Sequence, residues 1–255
     1  MINLLKLHVV VPLLCLLFSS FVPVSANESF KQITQKVNSI LDGSGQVLSV
    51  TPVEGFKDLF EVVVKEPNAQ RVLYANSDGS RVVLGSLINT QTMANLTAQK
   101  MEDINRIDFN KDLKQELALK SVYGNGKRKI AIFEDPRCGY CKQLRQLAIE
   151  KLKNATVYTY VYPVLGESSI ELSSTLLCAK DPSEAWRQWM VNNKEPTEKN
   201  ECKPPVNALV DLGKSLGITG TPTIFFEDGT RVNGAIDAAE LNRRMDLARA
   251  AATSN

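Results

Sequence analysis

The stretch Phe133-Glu134-Asp135-Pro136-Arg137-Cys138-Gly139-Tyr140-Cys141-Lys142-Gln143-Leu144 sits between two kinds of hydrophobic pattern. Before it, residues 129–133 form an apolar run with strand character. After it, residues 141–152 follow helical spacing, and residues 156–162 form a second β-prone run. Strand, helix and strand at these lengths allow a parallel pair. The Cys-x-x-Cys pair therefore falls where a strand gives way to a helix. At a helix N-terminus the unpaired amides and the macrodipole favour a thiolate, and Arg137 adds positive charge beside it. Cys138 is expected to be exposed and nucleophilic. Cys141, one turn in, is expected to be the resolving thiol.

Working outward, residues 168–191 form a helical region carrying Cys178, Trp186 and Trp189, and residues 204–216 a further helix. The two tryptophans, three apart on a helix, are expected to pack rather than to recognise a ligand. Strands at 223–227 and 230–232 flank the Asp228-Gly229 turn, and a helix at 238–251 closes the chain. Upstream, Gly124-Asn125-Gly126 introduces the unit. Residues 89–120 have helical character without a strong apolar stripe, which predicts a half-solvated linker helix between two domains. Nearer the start, Phe30, Ile33, Val37 and Leu41 recur at helical spacing until Asp42-Gly43-Ser44-Gly45 stops them. Short β-prone runs follow at 46–53, 59–65, 71–75 and 81–84. A helix with a strand meander of about 60 residues is marginal by itself, and pairing is the usual remedy. Residues 27–88 are accordingly expected to be a dimerisation module, residues 121–255 the second domain, and the fold class α+β.

The 255 residues are 44% hydrophobic and 23% charged, as in ordinary globular proteins. A formal net charge of +2 offers no reason to expect a nucleic acid partner. Residues 1–26 have a basic start at Lys6, an apolar run and a Val24-Ser25-Ala26 ending. That is the layout of a secretory signal peptide cleaved after Ala26. A retained membrane anchor is the alternative, weakened by Pro12, Ser19, Ser20 and Pro23. Cleavage removes Cys15 and His8, the sole histidine, and leaves Cys138, Cys141, Cys178 and Cys202. Imidazole chemistry is then excluded, and an even cysteine count in an exported chain favours disulfides. From the residues alone, zinc held by all four sulfurs remains open. The gaps of 36 and 23 residues are wide for it. A purely structural Cys138–Cys141 disulfide also remains open, although so tight a ring adds little stability.

The segment from Phe133 to Leu144 resembles the active-site segment of the DsbC-type periplasmic disulfide isomerases (the DsbC/DsbG family, thioredoxin-like). Gly217-Ile218-Thr219-Gly220-Thr221-Pro222-Thr223 resembles that family's cis-proline loop. The Gly139-Tyr140 dipeptide is closer to the isomerases than to the DsbA oxidases. The resemblance implies a thioredoxin-like catalytic domain with a helical insertion, joined by a linker helix to a cystatin-like amino-terminal dimerisation domain. It also implies catalysis by Cys138 and Cys141, substrate pairing at Thr221 and Pro222, and a structural Cys178–Cys202 disulfide. That loop would contribute about 3–4 kcal/mol in the chain-entropy model. The activity implied is isomerisation of incorrect disulfides in exported proteins, in the periplasm, by a homodimer with chaperone activity. Electrons would come from a DsbD-type membrane reductase, and no cofactor or metal is called for. A DsbG-like or oxidising oxidoreductase, and a chaperone whose thiols are secondary, are the alternatives. The strand residues Ile130, Ile132 and Phe133 offer no buried acid to take a proton from Cys141. Glu134 and Asp135 are expected to be solvated loop charges as readily as proton acceptors.

Overall fold

Ile33 and Val37 recur one helical turn apart, and a stripe of that kind needs an apolar surface to cover it. The computed structural model describes residues 26–67, 69–196 and 200–253. Both side chains are buried there on helix α1 (Ala26–Leu41). The surface they meet is a four-stranded antiparallel meander of β1 (Gln46–Pro52), β2 (Phe60–Glu66), β3 (Ala69–Ala75) and β4 (Val82–Val83). Val47, Val62, Val64, Leu73 and Ala75 complete this small core. Residues 1–25 of the expected leader, with His8 and Cys15, lie outside the described residues. Among the described residues no helix is long and apolar enough to cross a membrane.

The expected linker helix is mostly not a helix. After the two-residue strands β5 (Ile88–Asn89) and β6 (Ala94–Asn95), α-helix is confined to α2 (Leu96–Ile104), with a single 3-10 turn at Gln115–Leu117. The Asn95 side chain caps it by accepting from Ala98 N–H at 2.9 Å. Beyond Asn105, side-chain carboxylates capture backbone amides. Asp108 Oδ1 accepts from Asn110 and Lys111, and Asp112 Oδ2 accepts from Asp108. Such local bonds compete with the helical ladder, so an Asp- and Asn-rich segment without an apolar stripe leaves it. Phe109 and Leu113 from this stretch are buried in the larger domain. Ile107 N–H donates to Gly229 O at 3.1 Å, and Arg244 bonds Glu102 at 3.2 Å.

The larger domain is built on a five-stranded sheet. It starts at β7 (Leu119–Tyr123), which sequence spacing had placed at the end of the linker, two residues before the expected boundary at 121. β7 is followed by β8 (Arg128–Glu134), α3 (Gly139–Leu147), β9 (Ala155–Val161), α4 (Glu167–Leu177), α5 (Pro182–Asn192), α6 (Val206–Ser215), β10 (Thr223–Phe226), β11 (Arg231–Asn233) and α7 (Ala238–Thr253). Strand order is β11-β10-β8-β9-β7, with β8 and β9 parallel and the other pairs antiparallel. β8 is central and buried on both faces, which explains its unbroken apolar run. Ile130 and Ile132 face α3 and α7, with Leu144, Leu241 and Met245. Ala131 and Phe133 face the helical insertion α4–α6, with Leu172, Trp186 and Leu209. Phe226 fills the first of these cores at 0% exposure. Phe226→Ala is expected to cost about 3–5 kcal/mol, measured by urea unfolding.

Candidate active site

Cys138 is the residue at which β8 has ended and α3 begins, and it caps the helix itself. Its extended backbone lets Sγ accept from Cys141 N–H at 3.3 Å, while Cys138 N–H donates to Asp135 O at 3.1 Å. The Thr221–Pro222 peptide bond is cis, and the thiol form of Cys138 donates to Thr221 O at 3.3 Å. The structure therefore brings Cys138, Gly139, Tyr140, Cys141, Thr221 and Pro222 together. Cys178 and Cys202 lie elsewhere, joined to each other by a disulfide with Cα atoms 5.7 Å apart. Cys138 is not the open thiol that its place before the helix suggested: it is 6% exposed. The Thr221 loop and the first turn of α3 cover it, while Tyr140 beside it is 69% exposed.

The two thiols are electrostatically unequal. Hydrogen bonding from the Cys141 thiol holds Cys138 down to about 6 against the opposing effect of burial. The Thr221 side chain and the Cys141 and Tyr140 amides add to this. Burial drives Cys141 far above the usual thiol value. Its hydrogen bond to Cys138 and the negative charge of Glu134 reinforce that shift. At neutral pH the arrangement favours a thiolate at Cys138 and a retained proton on Cys141.

Glu134 and Asp135 are not solvated loop charges, contrary to one expectation from sequence; both are 0% exposed. Glu134 ends the central strand and has no route to solvent. Its carboxylate accepts from Arg145 Nε at 3.0 Å and Nη2 at 2.6 Å, and from Trp186 Nε1 at 3.0 Å. Arg145, also buried, donates further to Thr159 Oγ1. Asp135 is held by four donors from three chain segments. Trp189 packs as expected but also donates from Nε1 to Pro136 O at 2.6 Å, and Lys142 Nζ lies 4.2 Å from its ring centre. Arg145 was the residue with a usable signal. Cys141, Leu144 and Arg145 share the inward helical face, and an arginine there demands a buried carboxylate.

Thiolate absorbance of the reduced protein is expected to titrate with a midpoint near pH 6, and Cys138→Ser should remove that transition. The depressed pKa stabilises the reduced fold fully above the ordinary thiol value near 9.0, and that contribution is lost as pH falls through about 6. Glu134→Gln should destabilise by about 3–5 kcal/mol in urea unfolding, because Arg145 keeps a buried charge without its partner. Replacing both as Glu134→Leu/Arg145→Met should cost less than the single change.

The thioredoxin-like domain family matches residues 115–249, and the disulfide bond isomerase protein N-terminal domain family matches residues 24–98. The chain is 41% identical over 174 residues to the probable thiol:disulfide interchange protein DsbC of Bordetella avium, covering 68% of this chain and 62% of that protein. With the protein of the same description from Bordetella pertussis, identity is 40% over 187 residues, covering 73% and 64%. The matches thus span less than two thirds of those relatives' length. A solved structure, a disulfide interchange protein from Neisseria gonorrhoeae, is 33% identical with a TM-score of 0.51, covering 54% of this chain and 99% of that one. With a Cys-x-x-Cys pair heading α3 and a DsbC amino-terminal module before the thioredoxin-like domain, this chain belongs to the DsbC-type, thioredoxin-like family of thiol:disulfide interchange proteins.

Proposed function

We propose that this protein is a periplasmic disulfide isomerase acting on misfolded exported proteins, with Cys138 as nucleophile and Cys141 as resolving thiol. The observation that carries the reading is the inequality of the two thiols: Cys138 is lowered to about 6, and buried Cys141 is raised. The Cys138 thiolate attacks one sulfur of a client disulfide. A mixed S–S bond forms, and the other client sulfur leaves as a thiolate. A second client thiolate then attacks the mixed disulfide at the client sulfur, making the new pairing and returning Cys138 as thiolate, with no net transfer of electrons. Attack by Cys141 instead would form a Cys138–Cys141 disulfide and release the client with two more electrons. Because Cys141 holds its proton, that exit is slow and the client has time to rearrange.

The exit would be reversed by two electrons from a DsbD-type membrane reductase. Thr221 and Pro222 would pair with the extended client backbone, and Gly139 and Tyr140 would set the shape of the entrance. The Cys178–Cys202 pair would remain structural, tying α4 to the segment before α6. Secretion by cleavage after Ala26 and pairing through residues 27–88 complete the reading, with residues 121–255 as the catalytic domain. Support for pairing comes from Ile40, Leu48, Phe56 and Leu84 of the small domain, all exposed and apolar. A dimer would enclose a cleft suited to unfolded clients and to chaperone activity.

The test is reactivation of a scrambled multi-disulfide protein by the mature chain in glutathione buffer, beside Cys138→Ala. Recovery by wild type that is lost in the variant is the expected outcome. Recovery retained by the variant would sink the assignment. No recovery from a chain whose cysteines still cycle would make it an oxidase or electron carrier.

A further inference from the structure

Asp135 is a buried carboxylate that the exchange steps leave unused. A wholly buried charge has to be compensated, and here four donors do so in place of a cation. The two oxygens serve different segments. Oδ1 accepts from Arg137 N–H and from Ser169 Oγ–H, each at 2.8 Å. Oδ2 accepts from Val164 N–H at 2.8 Å and Leu165 N–H at 2.9 Å. One carboxylate thus joins the turn immediately before the nucleophile to the loop after β9 and to the first turn of α4. The main chain of the same residue accepts from Cys138 N–H.

This arrangement determines which way the loop side chains face. With the Val164 and Leu165 amides turned inward onto Asp135, their apolar side chains project outward, 40% and 56% exposed. Gly166, at φ 112°, then swings the chain into α4. Two adjacent apolar side chains are therefore held in solvent by a buried anchor that also positions the Cys138 turn. The rim and the turn that carries Cys138 are thus joined through a single carboxylate.

We propose that Asp135 is a positioning residue that locks the Val164-Leu165 rim to the Cys138 turn, so that the rim receives the apolar side chain next to a cysteine in an extended client segment. The inference rests on the exchange reading above but not on isomerisation. In the step concerned, the Cys138 thiolate bonds to the client sulfur of a mixed disulfide, and the second sulfur departs as a thiolate.

Asp135→Asn separates the two roles. The amide oxygen can keep Arg137 and Ser169, while the –NH2 group meets the Val164 and Leu165 N–H groups and releases the rim. Two peptides carry the test, each with one cysteine disulfide-linked to thionitrobenzoate, the cysteine flanked by leucines in one and by serines in the other. Wild type should prefer the leucine peptide. Asp135→Asn should raise KM for that peptide and cut the leucine-to-serine ratio of kcat/KM about tenfold. Leu165→Ser, an exposed change, should lower the same ratio, and it decides the matter if Asp135→Asn does not fold. A ratio unchanged in the folded variants would overturn the inference. Wild type that prefers the leucine peptide yet fails to reactivate a scrambled protein removes isomerisation and leaves this role of Asp135. Wild type that reactivates but shows no peptide preference removes the role and leaves isomerisation.

Discussion

The hydrogen bond from Cys141 N–H to Cys138 Sγ, at the head of α3, is the interaction on which the reactive end of this molecule depends. A helix start leaves amides without partners, and most proteins satisfy them with an oxygen from Ser, Thr, Asp or Asn. Here a sulfur takes that place, so the group that starts the helix is also the group whose charge the helix stabilises. Local folding and thiol reactivity are one event. Placing Cys141 on the inward face of the same turn then makes it wholly buried, which separates the two thiols in acidity without any cofactor.

The helical insertion is bound into this end of the domain as well as packed on the sheet. α5 reaches the active-site turn through Trp189 Nε1 on Pro136 O, and the end of β8 through Trp186 Nε1 on Glu134. α4 reaches it through Ser169 on Asp135. Each bond ends on one of the three residues between the apolar run of β8 and Arg137. The insertion therefore braces the residues that aim Cys138, and the buried Glu134–Arg145 pair becomes intelligible as part of that brace. Buried ion pairs contribute little net stability but are costly to break, so the brace has one low-energy arrangement.

Much of this architecture was visible in residue spacing. The amphipathic stripe of α1, the short strands of the meander and the strand-to-helix setting of Cys138 all arise from local patterns. The linker failed as a helix because Asp108 and Asp112 bind backbone amides, a competition that a periodicity test does not register. β7 was missed because an edge strand of alternating half-buried residues carries a weak apolar signal. Burial of Glu134 and Asp135 was illegible for a different reason: they follow Phe133 just where an ordinary strand would give way to solvent.

By itself the sequence determined where the Cys-x-x-Cys pair falls, since a place between an apolar strand and a helix is a local arrangement. Only the tertiary structure decided how that pair is covered, charged and aimed. The Thr221 carbonyl comes to Cys138 from 83 positions away, and the partners of Glu134 and Asp135 come from as far as 52 and 34. Burial and hydrogen-bond partnership are properties of what the fold brings together across such separations, and neighbouring residues in the chain do not encode them.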